Sequence, residues 1–285
     1  MMKTSSKLLI ILGITLFVVP IAIMSFTVME NRVDVVDYQK DMDREATSLE
    51  GEDVYLQTTP LKAFDKVRLL GEGRRGPISL IIVKSDKHAL KLEKNREVKL
   101  KFEVDDKGTL IIHGEESAEY YFNTVYLFTP NVHNLELKDV DVQTKIETDS
   151  LTVQGDNLSG FQLSSGTKID DLYLNLKKSK IAMNTDNREE NVNYSVRRLS
   201  LDVDSSEVNL GPHDLKKLSL LAKNSKVSFP SKGKRWMLDE LSLITEGKSS
   251  ITLDSLQSKT LSGNLSDQTT IDLPVQQLRQ IISRN

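Results

Sequence analysis

Cysteine is absent from all 285 residues. That removes disulfides, a lipid-modified N-terminal cysteine and a thiol nucleophile together, so an exported domain must be held by its core alone. A basic excess is missing too: 38 Lys and Arg against 41 Asp and Glu leave a formal net charge of −3. The electrostatic footprint of a nucleic-acid binder is therefore lacking. Histidine is scarce, and His88, His113, His133 and His213 are scattered without a partner at metal-site spacing, so structural roles are expected for all four. There is no G-x-S-x-G, no H-E-x-x-H and no Walker loop. No catalytic residue, no cofactor and no metal site is assigned on this basis, and the chain is read as a non-enzyme.

Long apolar runs are also rare, with one exception. Leu8 to Met29 carries no charged side chain, and a helix rising about 1.5 Å per residue needs roughly 20 such residues to cross a hydrocarbon core near 30 Å thick. Pro20 inside the run is tolerated by membrane helices. Lys3 and Lys7 precede it, whereas Glu30, Arg32, Asp34 and Asp37 follow, which places the remainder on the exported side. A cleaved signal would have a shorter apolar region ending in small residues, and Ala22, Met24 and Ser25 match that pattern poorly. The expected layout is a cytoplasmic tail over 1–7, a single-pass inner-membrane anchor over 8–29, a stalk over 30–59 and a periplasmic domain over 60–285.

What the domain does have is alternation. From Phe64 onward apolar and polar residues alternate in short runs, the mark of strands with one buried face: Val67–Leu70, Ile78–Val83, Leu90–Glu93, Val98–Val104, Leu110–His113, Val125–Phe128 and Leu135–Val142. Between two of them, Asp105 to Gly108 reads as a hairpin turn, with Gly108 supplying a positive φ.

The second half repeats itself. Strands begin at Leu199, Leu218, Leu241 and Leu261, each followed by a turn containing Ser or Thr and by a second apolar pair: Val208 and Leu210, Val227 and Phe229, Ile251 and Leu253, Ile271 and Leu273. The same pattern starts at Leu172, with Ile181 and Met183, and less cleanly at Leu135 and Leu151. Units of this length bury too little surface alone and must stack. Two strands per unit, without the Asn or Cys of a leucine-rich horseshoe, predict an all-β parallel β-helix or solenoid, seven units making a stack of about 30 Å at the inter-strand spacing. Val275, Leu278, Ile281 and Ile282 share one face of a helix, which predicts a short C-terminal capping helix over 274–284.

Three acidic pairs invite a test for glycan cleavage or cation binding: Asp139 and Asp141, Asp170 and Asp171, Asp202 and Asp204. A solvated outer strand face accounts for them more simply. Two insertions break the repeat, and insertions in solenoids often line the binding face. One, Asn184 to Arg198, carries Asp186, Arg188, Glu189, Glu190, Tyr194, Arg197 and Arg198; the other, Ser231 to Glu240, carries Lys232, Lys234, Arg235 and the only tryptophan, Trp236. Lys232, Lys234, Arg235 and Trp236 form the candidate partner-binding loop, suited to stacking on a sugar or holding an anionic polymer. The competing reading is that Trp236 and Met237 fold back onto the coil.

Phe64, Asp65, Lys66 and Val67 with Gly71, then Ile78 to Ile81, Leu110 to Ile112, Val125 and Leu127 before Pro130, and Leu135 to Leu137 resemble the head GIN domain family of adhesin-like bacterial proteins, over residues 60 to 275. This chain departs from the family in carrying Lys, Asp and Asn where its turns are usually rich in Gly and Ser. The resemblance implies an exported β-helical fold in a Gram-negative bacterium of the Bacteroides group and carries over no catalytic residue. Three function classes stay open: a non-catalytic adhesion-like or scaffold module, a carbohydrate-active enzyme, and a self-assembling structural element. The partners expected are the membrane, through the N-terminal helix, and an envelope protein or glycan, with no nucleic acid.

Overall fold

A computed structural model describes residues 4–30, 35–71, 76–94, 100–114, 123–183, 194–211, 214–229, 236–254 and 256–282. The chain divides into two compact units, Met1–Val54 and Tyr55–Asn285. The first holds helix α1, Thr4–Glu30, and helix α2, Val35–Thr47. The apolar side chains of α1 are spread around its axis, and its described large ones, from Leu12 to Phe26 and at Met29, are exposed. Among the described residues no helix is long and apolar enough to cross a membrane. The consecutive described side chains of α1 run only from Leu12 to Thr27, about 24 Å of helix, so the span expected over 8–29 is not met by them. In the segment expected as a stalk, α2 has two faces of different polarity, and Glu45 is buried, accepting the Val54 N–H at 2.8 Å.

The second unit is mostly β. Its first part comprises β1 Leu56–Pro60, β2 Lys66–Leu70, β3 Ile78–Lys84, β4 Ala89–Glu93, β5 Lys101–Val104, β6 Thr109–His113 and β7 Asn123–Thr129. Its second part comprises β8 Asn134–Lys138, β9 Asp141–Lys145, β10 Glu147–Asp156, β11 Gly160–Leu163, β12 Lys168–Lys177, β13 Lys180–Ala182 and β14 Ser195–Asp204. It continues through β15 Glu207–Asn209, β16 Lys217–Lys223, β17 Lys226–Ser228, β18 Trp236–Glu246, β19 Ser250–Thr252, β20 Leu256–Asn264 and β21 Thr270–Asp272 to helix α3, Val275–Ile282.

The uniform parallel β-helix expected over 60–285 is corrected by the pairing, because the sheets are mixed. β1 pairs β4, β4 pairs β7 and β5 pairs β6 in antiparallel fashion. The hairpin between β5 and β6 is the one expected: Gly108 sits at φ 73°, and Asp105 Oδ1 accepts the N–H groups of Lys107 (2.9 Å) and Thr109 (2.8 Å). Spatial order also departs from chain order. β2 lies between β6 and β8, and β3 between β7 and β9. The first coil laid down is thus sandwiched between the third and the fourth, and the chain closes over it. Gly71 marks the crossing: its N–H donates to Lys138 O at 2.9 Å, and a Cβ there would stand 1.7 Å from Asp139 O.

From β8 onward each unit sends one strand to each of two walls. β8, β10, β12, β14, β16, β18 and β20 form one parallel run, and β13, β15, β17, β19 and β21 another. In-register stacking turns the alternation into columns: Leu151, Leu172, Leu199, Leu218, Leu241 and Leu261 pair in sequence and all are buried. The opposite wall stacks Ile181, Val208, Val227, Ile251 and Ile271. Two details of the expected repeat change. Leu135 pairs with Val153, not Leu151, so that unit starts two residues earlier than its leucine suggests. The single strand expected over Leu135–Val142 is split at Asp139, whose φ of 54° turns the corner between β8 and β9. The corner shifts the alternation by one residue: Leu135 and Leu137 are buried before it, Val140 and Val142 after it.

Helix α3 packs on β20, the last strand of the long wall, through partly buried Leu278. Val275 faces solvent instead, and Gln277 is buried, accepting from Ser258 Oγ at 2.6 Å and donating Nε2 to Ser258 O at 3.1 Å. A polar side chain suits that place because the edge strand beneath it offers unpaired backbone groups. Ile281 and Ile282 lie among residues whose side chains are not described.

Candidate functional site

Of the candidate loop, Lys232, Lys234 and Arg235 lie outside the described residues. Trp236 opens β18, half-buried, with its ring 5.9 Å from that of Phe229 at 70°. Of the other insertion, 184–193 likewise lies outside the described residues, while Arg197 and Arg198 stand on β14. Tyr194 is buried at its base, with its hydroxyl 2.9 Å from Met183 O and 2.6 Å from Gly211 O. Burial pushes that phenol well above its ordinary range, so it serves as a neutral donor shared by the carbonyl just before the insertion and one that follows β15.

The acidic pairs separate into different uses. Asp170 pairs with Arg197 at 3.3 Å and Asp171 with Arg198 through both guanidinium donors, each joining adjacent coils. The Asp171 carboxylate raises the Arg198 pKa further. Asp139 accepts from Asn157 Nδ2 at 2.7 Å and Asp204 from Ser205 Oγ at 2.9 Å, while Asp202 is exposed. Asp141 is half-buried, and burial raises its carboxyl. His88 Nδ1 accepts the Phe64 N–H at 3.4 Å, with the two rings edge to face, and His133 Nδ1 lies 3.1 Å from Ser150 O. His113 sits on β6 opposite Leu70 and Lys101, and His213 lies outside the described residues. Among the described residues no three His, Asp or Glu are grouped so as to hold a metal ion.

The arrangement that sequence reasoning missed is at the corner between the two walls. Asp139, Asn157, Lys178, Ser205, Asn224 and Gly247 stand in successive coils with φ between 46° and 58°. Non-glycine residues are rare in this left-handed region, and stacking holds them there. The N–H of Asn157 donates to Lys177 O at 2.9 Å, that of Lys178 to Asp204 O at 3.0 Å, that of Ser205 to Lys223 O at 2.9 Å and that of Asn224 to Glu246 O at 3.1 Å.

Just past the corner runs a ladder of buried serines. Ser179 Oγ accepts the Leu158 N–H, Ser206 Oγ that of Ser179 (both 3.0 Å), Ser225 Oγ that of Ser206 (3.1 Å) and Ser249 Oγ that of Ser225 (3.3 Å). Each hydroxyl donates back within its own turn, to Lys177 O (2.7 Å), Asp204 O (2.8 Å), Lys223 O (2.6 Å) and Glu246 O (3.1 Å). A hydroxyl both donates and accepts, so each serine takes up a buried N–H of the preceding coil and adds a second donor to a carbonyl already bonded at the corner. The legible signal was a tripeptide with central serine in each unit: Lys178 to Lys180, Ser205 to Glu207, Asn224 to Lys226 and Lys248 to Ser250.

Over this ladder lies an open groove of about 520 Å³, lined among others by Lys178, Lys180, Glu207, Lys226, Lys248 and Asn224. Glu207 takes Lys180 at 3.4 Å and Lys226 at 3.3 Å, and hydrogen bonding from Lys226 first, then Lys180, holds its carboxyl below the usual range. Lys178 and Lys248 are exposed and have no carboxylate partner among the described residues. A second open groove, of about 440 Å³, lies on the outer face of the long wall, where Arg68 and Glu136 pair at 2.6 Å.

No family model matches the chain, and no curated protein matches it in sequence. Solved structures do. A "putative adhesin" from Bacteroides fragilis is similar over 77% of this chain and 96% of its own, with 16% identity and a TM-score of 0.50. A "putative adhesin" from Parabacteroides merdae covers 78% of this chain and 97% of its own at 12% identity and a TM-score of 0.49. A "putative lipid binding protein" from Parabacteroides distasonis covers 76% and 93% at 13% identity and a TM-score of 0.42. At these identities the likeness to the B. fragilis protein is one of fold: the chain has a mostly β architecture found in a solved structure from the Bacteroides group.

Proposed function

We propose that the chain is an exported, membrane-anchored and non-catalytic binding module of the adhesion-like kind, with the head GIN-type domain as its β-helical part. The observation that carries the reading is the outer surface of the coils from β8 onward. Repeated stacking lays side chains out in rows, and both described grooves are open troughs running across several coils. Such surfaces suit an extended partner rather than a small molecule enclosed on all sides. The fold is shared with a protein named as an adhesin, which agrees in kind. Anchoring is supported by the uncharged run from Leu8 to Met29 and by the exposed apolar side chains of α1, which water does not solvate well over such an area. With Lys3 and Lys7 in the cytoplasm, the β unit would stand in the periplasm of a Gram-negative envelope.

Two measurements test this reading. Carbonate-washed membranes should retain the full-length chain; recovery of a soluble form beginning near Ser25 would replace the anchor with a cleaved signal. The full chain in detergent, immobilised, should retain a protein or glycan from solubilised envelope fractions that a blank surface does not retain. Retention no greater than that of the blank sinks the binding reading, and depolymerisation of a polysaccharide by the purified chain would put an enzyme in its place.

A further inference from the structure

The corner groove differs in charge from the column of side chains beside it. One residue before the corner, Lys138, Asp156, Lys177, Asp204, Lys223 and Glu246 stand in register, alternating in sign from coil to coil. That column is neutral in pairs, so neighbours compensate each other. Inside the groove the alternation fails: four lysines, Lys178, Lys180, Lys226 and Lys248, meet one carboxylate, Glu207. Glu207 is shared between Lys180 and Lys226, and Lys178 and Lys248 stand three coils apart along the trough, about 14 Å at the usual strand spacing.

The floor is chemically silent, since each serine hydroxyl is engaged by the backbone of its own and the neighbouring coil. Recognition therefore falls to the rim, where lysine ammonium groups are joined by the side chains of Ser205, Asn224, Ser250 and Thr270. Cations repeated along a trough, with hydroxyl and amide groups between them, match a linear polymer bearing a negative charge at intervals and hydroxyl groups between. We propose that this groove binds an acidic polysaccharide of the uronate type along the stacking direction. Its carboxylates pair with Lys178 and Lys248 and compete with Glu207 for Lys180 and Lys226. This deepens, and rests on, the reading of the chain as a binding module.

The test uses the full chain in detergent, with polygalacturonate as probe and neutral dextran as control. Wild type should bind polygalacturonate, more weakly as ionic strength rises, and should ignore dextran. Lys178→Gln with Lys248→Gln should weaken binding roughly tenfold, the sum expected of two exposed charge contacts, without lowering the melting temperature. Glu207→Gln should shift affinity the other way, tightening it a few-fold, an effect that misfolding would not produce. Equal affinity for all three proteins, or equal binding of dextran, overturns the groove as the site. So does binding to phosphatidylglycerol vesicles without binding to the polymer, which would assign the lysines to a lipid surface. Failure here with retention of an envelope component intact leaves the binding-module reading standing; absence of any such retention by the full chain removes that reading itself.

Discussion

The first coils and the later ones are made from the same short alternating strands, yet they stack by different rules. Among β1 to β7, three pairings are antiparallel and the coil of β2 and β3 is enclosed by strands that follow it by more than forty residues in one direction and more than sixty in the other. From β8 onward each long strand pairs in parallel with its predecessor and its successor in the wall. The difference lies in what fixes register. In the later coils a left-handed corner recurs from Asp139 to Gly247, and in four of them a buried serine, Ser179, Ser206, Ser225 or Ser249, presents the neighbouring turn with a matching ladder of donors and acceptors. In the first coils that device is lacking among the described residues, and single contacts such as the Gly71 crossing and the Asp105 hairpin do the work.

Five substitutions probe that contrast. The largest effect is expected inside the later stack. Val227 is fully buried between Val208 and Ile251, so Val227→Asp, an unpaired carboxylate in the core, should cost about 3 kcal/mol or more. Lys226→Gln, one residue away and exposed, should cost under about 0.5 kcal/mol. Similar melting temperatures for the two would break the proposed columns. In the first coils, Gly71→Ala drives a Cβ into the Asp139 carbonyl, backbone against backbone, and should cost about 2–3 kcal/mol; a neutral result would show that the crossing is not tight.

The ladder is probed by Ser206→Ala, which leaves the buried Ser179 N–H without its acceptor. A loss of about 1–2 kcal/mol in denaturant melts is expected, and no loss would mean that water or a turn rearrangement replaces the hydroxyl. The smallest effect belongs to Asp141, where burial raises the folded-state pKa. A carboxyl shifted upward binds protons more readily in the folded than in the unfolded chain, so its ionisation destabilises the fold as pH rises through the raised value. Asp141→Asn should therefore raise the melting temperature slightly at pH 7. The gain should shrink as pH falls towards the ordinary aspartate value of 3.8, where both states become protonated; a gain that stays constant with pH would argue against burial as its cause.

Much was legible in advance. Alternation placed Leu199, Leu201 and Val203 inside, and the spacing to Val208 found the second wall, because strand side chains alternate whether or not a strand's partner is known. The turn at Asp105 to Gly108 was legible because its chemistry is local. The start of the Leu135 unit was not, since a shift of two residues preserves alternation and only pairing with Val153 reveals it. Arg197 and Arg198 were read as part of an insertion, but their function is fixed by Asp170 and Asp171, twenty-seven residues away in each case.

By itself, then, the sequence determined which side of each strand is apolar, where turns fall, that units repeat, and that one uncharged run stands near the N-terminus. Those are properties of neighbouring residues. The antiparallel pairing of β4 with β1 and β7, the insertion of one coil between later ones, the serine ladder and the lysine groove were decided only by the tertiary structure. They depend on which strands lie about 4.8 Å apart, and a period of two along the chain carries no information about the identity or direction of the strand next door.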